Sequence, residues 1–124
     1  MFATPSKFPG WGGEIQEIPA DYDPASDGPA LLFFSLEGCP WCIRATPVMK
    51  TVATTLGSVV PTYKVPPESP LTRSMGVSGF PTIIHVSELG VPTKFDGERT
   101  ADAIASFVCN SIASKNSVCA KYFS

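Results

Sequence analysis

The sequence LLFFSLEGCPWCIRATP, residues 31–47, carries the strongest structural signal in the chain. Its first half belongs to an apolar run over 30–36, which is typical of a short strand buried on both faces. A helix is predicted over 40–56, because apolar residues recur there every four positions and a glycine follows. Cys39 and Cys42 therefore lie where a buried strand ends and a helix begins.

This position favours thiol chemistry. Unpaired N–H groups and the helix dipole stabilise negative charge at a helix start, so Cys39 is expected to form a reactive thiolate. Pro40 suits the first helical position, where its missing N–H costs nothing. Cys42 lies about one turn further and deeper. The predicted roles are nucleophile for Cys39 and resolving thiol for Cys42.

A Cys-x-x-Cys pair also supplies half of a zinc site, and zinc would need two more ligands. The candidates are His85, Cys109 and Cys119, but none of them forms a second closely spaced pair. We therefore favour redox chemistry, with no metal and no cofactor beyond the redox-active disulfide itself.

The rest of the chain alternates strands with helices. The further predicted elements are an edge strand at 14–18, a buried strand at 59–65 weakened by Pro61, a helical turn at 71–75, strands at 82–86 and 91–95, and a helix capped by Thr100 whose buried stripe is Ile104, Phe107, Val108 and Ile112. This order predicts an α/β fold, in which helices cover both faces of a central sheet.

Three separate motifs are similar to those of one family. Residues 31–47 resemble the strand, active-site pair and helix of the thioredoxin-fold oxidoreductases, with Pro47 at the family's helix-kinking proline. The segment GVSGFPT, residues 76–82, resembles the family's Gly-x-x-Gly-x-Pro-Thr segment. The hairpin around Gly90 and the Asp-Gly pair at 96–97 complete the match.

The resemblance implies a thioredoxin fold, with a central mixed β-sheet flanked by helices, over residues 29–113. Residues 1–28 are then a loop-rich N-terminal segment with a short edge strand. Residues 114–124 form a C-terminal tail.

The resemblance also assigns a substrate surface. Pro81 is expected to be cis and to face the cysteines, and the backbone of residues 78–80 could pair with an extended substrate. Trp41 and Phe80 would form an apolar lip; alternatively Phe80 belongs to the core and Trp41 is simply exposed. The predicted substrate-binding and supporting residues are Pro40, Trp41, Gly79, Phe80 and Pro81.

The chain departs from the family beside the cysteines. Phe33 occupies the position of the family's buried carboxylate, which leaves Cys42 without an evident base. Glu37 is nearer in sequence but is expected to be solvated. Gly38 and Ser35 occupy positions where the family usually has tryptophan. We therefore expect slower disulfide reduction than in a typical thioredoxin.

The function implied by these motifs is thiol–disulfide oxidoreduction and electron transport on protein substrates that carry disulfides or dithiols. The reductase or oxidase partner is unknown. One alternative is a non-catalytic thioredoxin-like binding or scaffold module. Another is a glutaredoxin-like, glutathione-dependent enzyme, although the proline segment and the absence of a later Gly-Gly differ from that pattern.

The second pair of cysteines is less defined. Cys109 lies off the predicted apolar stripe of the last helix, so it is not expected in the core. The tail could bring Cys119 close, and a disulfide closing this loop would stabilise the fold by roughly 3 kcal/mol. Free thiols, a second redox pair or a dimer link are the alternatives.

Three other polar residues are candidates for the surroundings of the cysteines. His85 is expected to be a hydrogen-bonded sheet residue, distant from the cysteines. Arg44 is expected to be solvated, and the orientation of Lys64 is left open.

Composition limits the remaining classes. The 124 residues suit one domain, and nine Lys and Arg against eleven Asp and Glu give a net charge of −2. Without a basic excess, nucleic-acid binding is disfavoured. No apolar run approaches a membrane span and no secretory signal is evident, so we expect no membrane partner and a cytoplasmic location.

Overall fold

The computed structural model describes residues 13–112 and 117–122. In chain order its elements are β1 (Ile15–Glu17), β2 (Ala30–Phe34), α1 (Pro40–Thr55), β3 (Thr62–Val65), α2 (Pro70–Ser74), β4 (Thr82–Val86), β5 (Pro92–Lys94), α3 (Ala101–Asn110) and a 3₁₀ turn (Ala120–Tyr122). The predicted order of strands and helices is confirmed.

The five strands form one mixed sheet in the order β1-β3-β2-β4-β5. β3 pairs in parallel with both β1 and β2, whereas β4 is antiparallel to β2 and β5. β2 is the central strand and all five of its residues are buried. The carboxyl end of this strand leads directly to the two cysteines.

Alternate side chains of β2 supply the cores on the two faces of the sheet. Leu31 and Phe33 pack under α1 and α3. Leu32 and Phe34 point to the opposite face, where residues of the short helix α2 pack against them. Each of these side chains contributes about 1.5–3 kcal/mol through burial, so β2 is a rigid support for the site.

Two strands differ from the sequence prediction by two or more residues at one end. β3 begins at Thr62 rather than at residue 59, because Pro61 has no N–H and the N–H groups of Val59 and Val60 donate to Leu56 at the end of α1. β2 ends at Phe34 rather than at residue 36. The next two residues turn towards the cysteines.

The described part of the N-terminal segment packs into the domain. β1 forms an edge of the sheet next to β3, as predicted. After it, the buried Tyr22 donates a hydrogen bond from its hydroxyl to the Gly28 carbonyl at 2.9 Å. Its N–H donates to the Pro19 carbonyl at 3.1 Å, which closes a tight turn between β1 and β2.

The expectation that Cys109 lies outside the core is wrong. Cys109 and Cys119 form a disulfide, and both are fully buried. The buried face of α3 is wider than the predicted stripe, and the segment around the 3₁₀ turn packs back onto that face. The bridge spans ten positions and fixes this segment against α3.

The start of α3 is confirmed, since the Thr100 hydroxyl accepts a hydrogen bond from the Ala103 N–H at 3.2 Å. Among the described helices, none is both long enough and apolar enough to cross a membrane.

Candidate active site

Cys39 is the N-cap residue of α1, with Pro40 in the first helical turn. Its Sγ accepts a hydrogen bond from the Cys42 N–H at 3.2 Å and lies 3.8 Å from the carbonyl oxygen of Phe80. Gly38 has φ +81°, a conformation that strains any residue with a Cβ. The glycine thus allows the sharp turn that places Cys39 at the helix start.

Cys42 is the buried member of the pair, with 2% of its surface exposed, and both cysteines are free thiols. The Leu36 N–H donates to Cys42 Sγ at 3.5 Å. The Thr46 hydroxyl donates to the Cys42 carbonyl oxygen at 2.9 Å. The Cys42 sulfur therefore has a backbone donor from the turn after β2, and its carbonyl oxygen has a side-chain donor from the next turn of α1.

The surroundings of the two thiols shift their pKa values in opposite directions. The hydrogen bond from Cys42 lowers the pKa of Cys39, and the backbone N–H groups of Cys42 and Trp41 and the positive charge of Arg99 lower it further. Burial raises the pKa of Cys42, and its hydrogen bond to Cys39 adds to this. A negative charge therefore forms more readily on Cys39 than on the buried Cys42, as the predicted division of roles requires.

The Phe80–Pro81 peptide bond is cis, in agreement with the sequence-based expectation. Phe80 and Pro81 are half-buried, and the Phe80 ring packs against the core of the α2 face. Gly79 is exposed, and its carbonyl oxygen accepts a hydrogen bond from the Thr82 hydroxyl at 2.7 Å. The loop with the cis bond therefore borders Cys39 through the Phe80 carbonyl.

Trp41 is 59% exposed, next to Cys39 on the first turn of α1. The Arg44 guanidinium lies 5.0 Å from the centre of its ring, a cation–π distance. Arg44 is exposed, as expected, and its interaction is with this ring.

A cavity of about 450 Å³ adjoins the site on the side of Pro81. The loop from Met75 to Thr82 forms one wall, and residues 94–99 form the other. Arg99 lines this cavity, and its positive charge contributes to the lowered pKa of Cys39. The sequence did not predict this contribution. The signal was weak, because Arg99 is 60 positions away and nothing in its local sequence indicates thiol chemistry.

Phe33 is fully buried under α1, in one cluster with Ala45 and Met49, which follow Cys42 on the same helix face. An aromatic ring thus fills the place of the family's carboxylate. The sequence also missed Ser35. This residue is 6% exposed, and its side chain acts to lower the pKa of Cys42 against the larger, opposite effect of burial.

The remaining candidates lie away from the pair. His85 is buried within β4 and packs edge-on against Phe107 at 6.2 Å. The expectation that it is fully hydrogen-bonded is wrong for Nε2, which has no partner among the described residues. The side chain of Lys64 is exposed on β3.

The alternative zinc ligands do not assemble either. Cys109 and Cys119 are bonded to each other. Within residues 13–112 and 117–122, no three His, Cys, Asp or Glu side chains group in a way that could hold a metal ion.

The chain belongs to the thioredoxin family, whose sequence pattern matches residues 19–110. A mitochondrial thioredoxin domain-containing protein of Schizosaccharomyces pombe is 31% identical over 97 residues, which are 71% of this chain and 27% of that protein. Protein disulfide-isomerase A3 of Gallus gallus is 36% identical over 81 residues, 64% of this chain and 16% of that protein. The chain thus spans less than a third of these curated relatives.

Among solved structures, the J-Trx1 fragment of ERdj5 superimposes with a TM-score of 0.70. The match covers 81% of this chain and 50% of that chain at 19% identity, which supports the thioredoxin fold alone. At the level of the family, the relatives support thiol–disulfide oxidoreductase chemistry.

Proposed function

We propose that this chain is a thiol–disulfide oxidoreductase that acts on protein disulfides or dithiols through Cys39 and Cys42. The observation that carries the proposal is the asymmetry of the pair. Cys39 is accessible at a helix N-cap and its pKa is lowered, whereas Cys42 is buried and its pKa is raised. Structural cysteines lack such a difference, while a nucleophile and a resolving thiol require it.

In the first step, the Cys39 thiolate attacks one sulfur of a substrate disulfide. A bond forms between that sulfur and Cys39 Sγ, the substrate S–S bond breaks, and the other substrate sulfur leaves with the electron pair and takes a proton. In the second step, the Cys42 thiolate attacks Cys39 Sγ and releases the remaining substrate sulfur as a thiolate. The substrate is reduced, and Cys39 and Cys42 are oxidised to a disulfide.

The surroundings of Cys39 support a protein substrate. The Phe80 carbonyl oxygen lies 3.8 Å from Cys39 Sγ, and an extended chain could pair with the segment before cis-Pro81 that carries this carbonyl. The exposed ring of Trp41, on the first turn of α1, offers further apolar surface. We therefore propose Pro40, Trp41, Gly79, Phe80 and Pro81 as the surface that positions the substrate.

Two other functions compete with this proposal. A scaffold module would use the same groove without covalent chemistry. A glutaredoxin-like enzyme would prefer substrates joined to glutathione. We favour a direct protein oxidoreductase, because the Gly-Phe-Pro-Thr segment beside Cys39 and the absence of a later Gly-Gly pair in the sequence differ from the glutaredoxin pattern.

The proposal is tested by mixing the reduced protein with a small protein that contains one accessible disulfide and counting the thiols released. We expect wild type to release two substrate thiols and Cys39→Ser to release none. The matched control is the double variant Cys109→Ser/Cys119→Ser, which removes the other pair and should retain activity. If wild type binds the substrate without releasing thiols, the scaffold function is correct. A strong preference for a glutathionylated substrate would favour the glutaredoxin-like alternative.

The cytoplasmic location stays a prediction. The buried Cys109–Cys119 disulfide supports instead a compartment that is oxidising while the chain folds, since structural disulfides are rare in the cytosol. Acid quenching of the protein in its natural source, followed by alkylation and mass spectrometry, would report the state of this pair. Two free thiols there would support the cytoplasmic prediction.

A further inference from the structure

The cavity of about 450 Å³ beside Pro81 lies next to the reactive sulfur. Phe80 and Pro81 form part of its wall, and the Phe80 carbonyl oxygen lies 3.8 Å from Cys39 Sγ. An extended chain rises about 3.3 Å per residue, so in a mixed disulfide with Cys39 the substrate residues beside the reacting cysteine pass close to this wall. The cavity is therefore placed to receive a side chain of the substrate.

The charged residues that line the cavity leave one cation without a partner. These residues are Lys94, Asp96 and Arg99. Lys94 Nζ and Asp96 Oδ1 form an ion pair at 3.9 Å, so their charges largely offset each other. Within residues 13–112 and 117–122, the Arg99 guanidinium makes no hydrogen bond and no ion pair. The cavity therefore has a net positive charge, carried by Arg99.

The loop that carries Arg99 is fixed at both ends. The Phe95 N–H donates to the Ile83 carbonyl at 2.8 Å, and Thr100 is the N-cap residue of α3. Between them, a Cβ on Gly97 would lie 2.9 Å from the Phe95 ring, so the glycine allows the loop to pass closely over this ring. Arg99 is therefore held on the wall of the cavity before any substrate arrives.

The same guanidinium acts on the reactive thiol. Its positive charge lowers the pKa of Cys39, although less than the hydrogen bonds at the helix start do. When Cys39 enters a mixed disulfide, its sulfur loses the negative charge that the guanidinium attracts. A carboxylate of the substrate can then take the place of the thiolate as the partner of Arg99, in a charge-assisted hydrogen bond.

We propose that Arg99 is a specificity-determining residue, which favours substrates with a carboxylate side chain within two residues of the reacting cysteine by pairing with that carboxylate in the cavity beside Pro81. This inference rests on the proposed function. A guanidinium can donate two parallel hydrogen bonds to one carboxylate, which makes arginine well suited to this recognition. Its charge also offsets the repulsion between the Cys39 thiolate and an acidic substrate.

The test uses four pairs of short peptides, each with one cysteine joined through a disulfide to an aromatic thiol whose thiolate absorbs visible light. The two members of a pair differ in one residue, Glu or Gln, placed one or two positions before or after the cysteine. The protein is the full chain with Cys42→Ser. Its Cys39 thiolate forms a bond to the peptide sulfur and expels the aromatic thiolate with the electron pair, because the thiol of lower pKa leaves faster.

At low salt, the glutamate peptide of at least one pair should react about two- to fivefold faster than its glutamine partner, a typical effect of an exposed ion pair. Arg99→Gln should reduce this ratio to about one, and Arg99→Lys should retain most of it because lysine keeps the charge. Arg99→Gln also changes the reactivity of Cys39, but this change affects both peptides equally and cancels in the ratio. Added salt should lower the ratio wherever Arg99 is present.

Arg73→Gln is the matched control. Arg73 is an exposed arginine in the last turn of α2 and lines a different cavity. Its replacement removes the same charge from the chain, so it changes the net charge of the protein as Arg99→Gln does. The ratio of the glutamate rate to the glutamine rate should stay at its value in the protein with both arginines.

The outcomes separate this inference from the proposed function. Ratios near one for all four pairs, or a preference for glutamate that survives in Arg99→Gln, would overturn the role of Arg99 while the release of thiolate still supports the oxidoreductase. If no peptide releases the thiolate, both proposals fail. The disulfide of glutathione with the same aromatic thiol is a further substrate, because glutathione also carries carboxylates near its cysteine. An effect of Arg99 on glutathione alone would overturn the selection of acidic protein substrates.

Discussion

Replacing Phe33 by aspartate should restore the proton acceptor that the family has beside its resolving cysteine. Phe33 is fully buried and packs with Ala45 and Met49, on the helix face that also carries Cys42. A carboxylate at this position can receive the Cys42 proton directly. Positioned acid–base groups contribute typically 10²–10⁴-fold, and we expect at least about tenfold for the resolving step.

The substitution also has a structural cost that must be separated from its chemistry. Removing a buried phenylalanine ring costs about 3–5 kcal/mol, out of the roughly 5–15 kcal/mol of a typical domain. Phe33→Asn leaves almost the same cavity and carries no acid. The ratio of the Phe33→Asp rate to the Phe33→Asn rate therefore isolates proton transfer. Urea unfolding near neutral pH should show a similar loss of stability for the two variants, or a somewhat larger loss for Phe33→Asp.

The assay is a single turnover with an aromatic disulfide whose released thiolate absorbs visible light. The attack by Cys39 releases the first equivalent of this thiolate, and the attack by Cys42 releases the second. The second phase of release therefore reports the resolving step. Burial raises the pKa of an aspartate at this position, so its advantage should grow as pH rises through that raised pKa. The first phase, the attack by Cys39, should differ little between the two variants. Equal second-phase rates across this pH range would refute the reasoning that the missing carboxylate limits the resolution by Cys42.

Further predictions concern residues outside this position. Arg99→Gln should raise the pKa of Cys39, as followed by thiolate absorbance in the ultraviolet, and added salt should reduce the difference from wild type. Burial lowers the pKa of His85 below its ordinary 6.5, so the unfolded chain binds a proton at a higher pH than the folded chain. The free energy of unfolding measured in urea should therefore fall as pH drops below about 6.5. His85→Leu should weaken this pH dependence. Removing the disulfide in Cys109→Ala/Cys119→Ala should lower the free energy of unfolding by about 2–4 kcal/mol, while the alkylation rate of Cys39 stays unchanged.

The sequence predicted the elements that local chemistry defines. The strand before Cys39, the proline after it and the cap at Thr100 each follow from residues a few positions apart. The element order followed from these signals, and the cis bond before Pro81 was implied by the resemblance. Strand ends were less accurate at Pro61, where a missing N–H shortens the pairing of β3.

The interactions that the sequence missed are long-range or depend on side-chain direction. Arg99 lines the cavity beside Pro81 although it is 60 positions from Cys39, and its local sequence contains no sign of this placement. The burial of Ser35 depends on the path of the chain after β2, where its N–H still donates to the Val65 carbonyl. The burial of Cys109 depends on a segment that folds back from beyond α3.

In the proposed mechanism Cys39 is the nucleophile, and Cys42 resolves the mixed disulfide that Cys39 forms with the substrate. The most direct test of this mechanism is mass spectrometry of Cys42→Ser after incubation with a short disulfide peptide of known mass. We predict that each molecule of Cys42→Ser carries one half of the peptide, joined through a disulfide to Cys39 and stable until a reductant is added. Cys39→Ser/Cys42→Ser should form no conjugate. The absence of a conjugate on Cys39 in folded Cys42→Ser, or attachment at another residue, would contradict it.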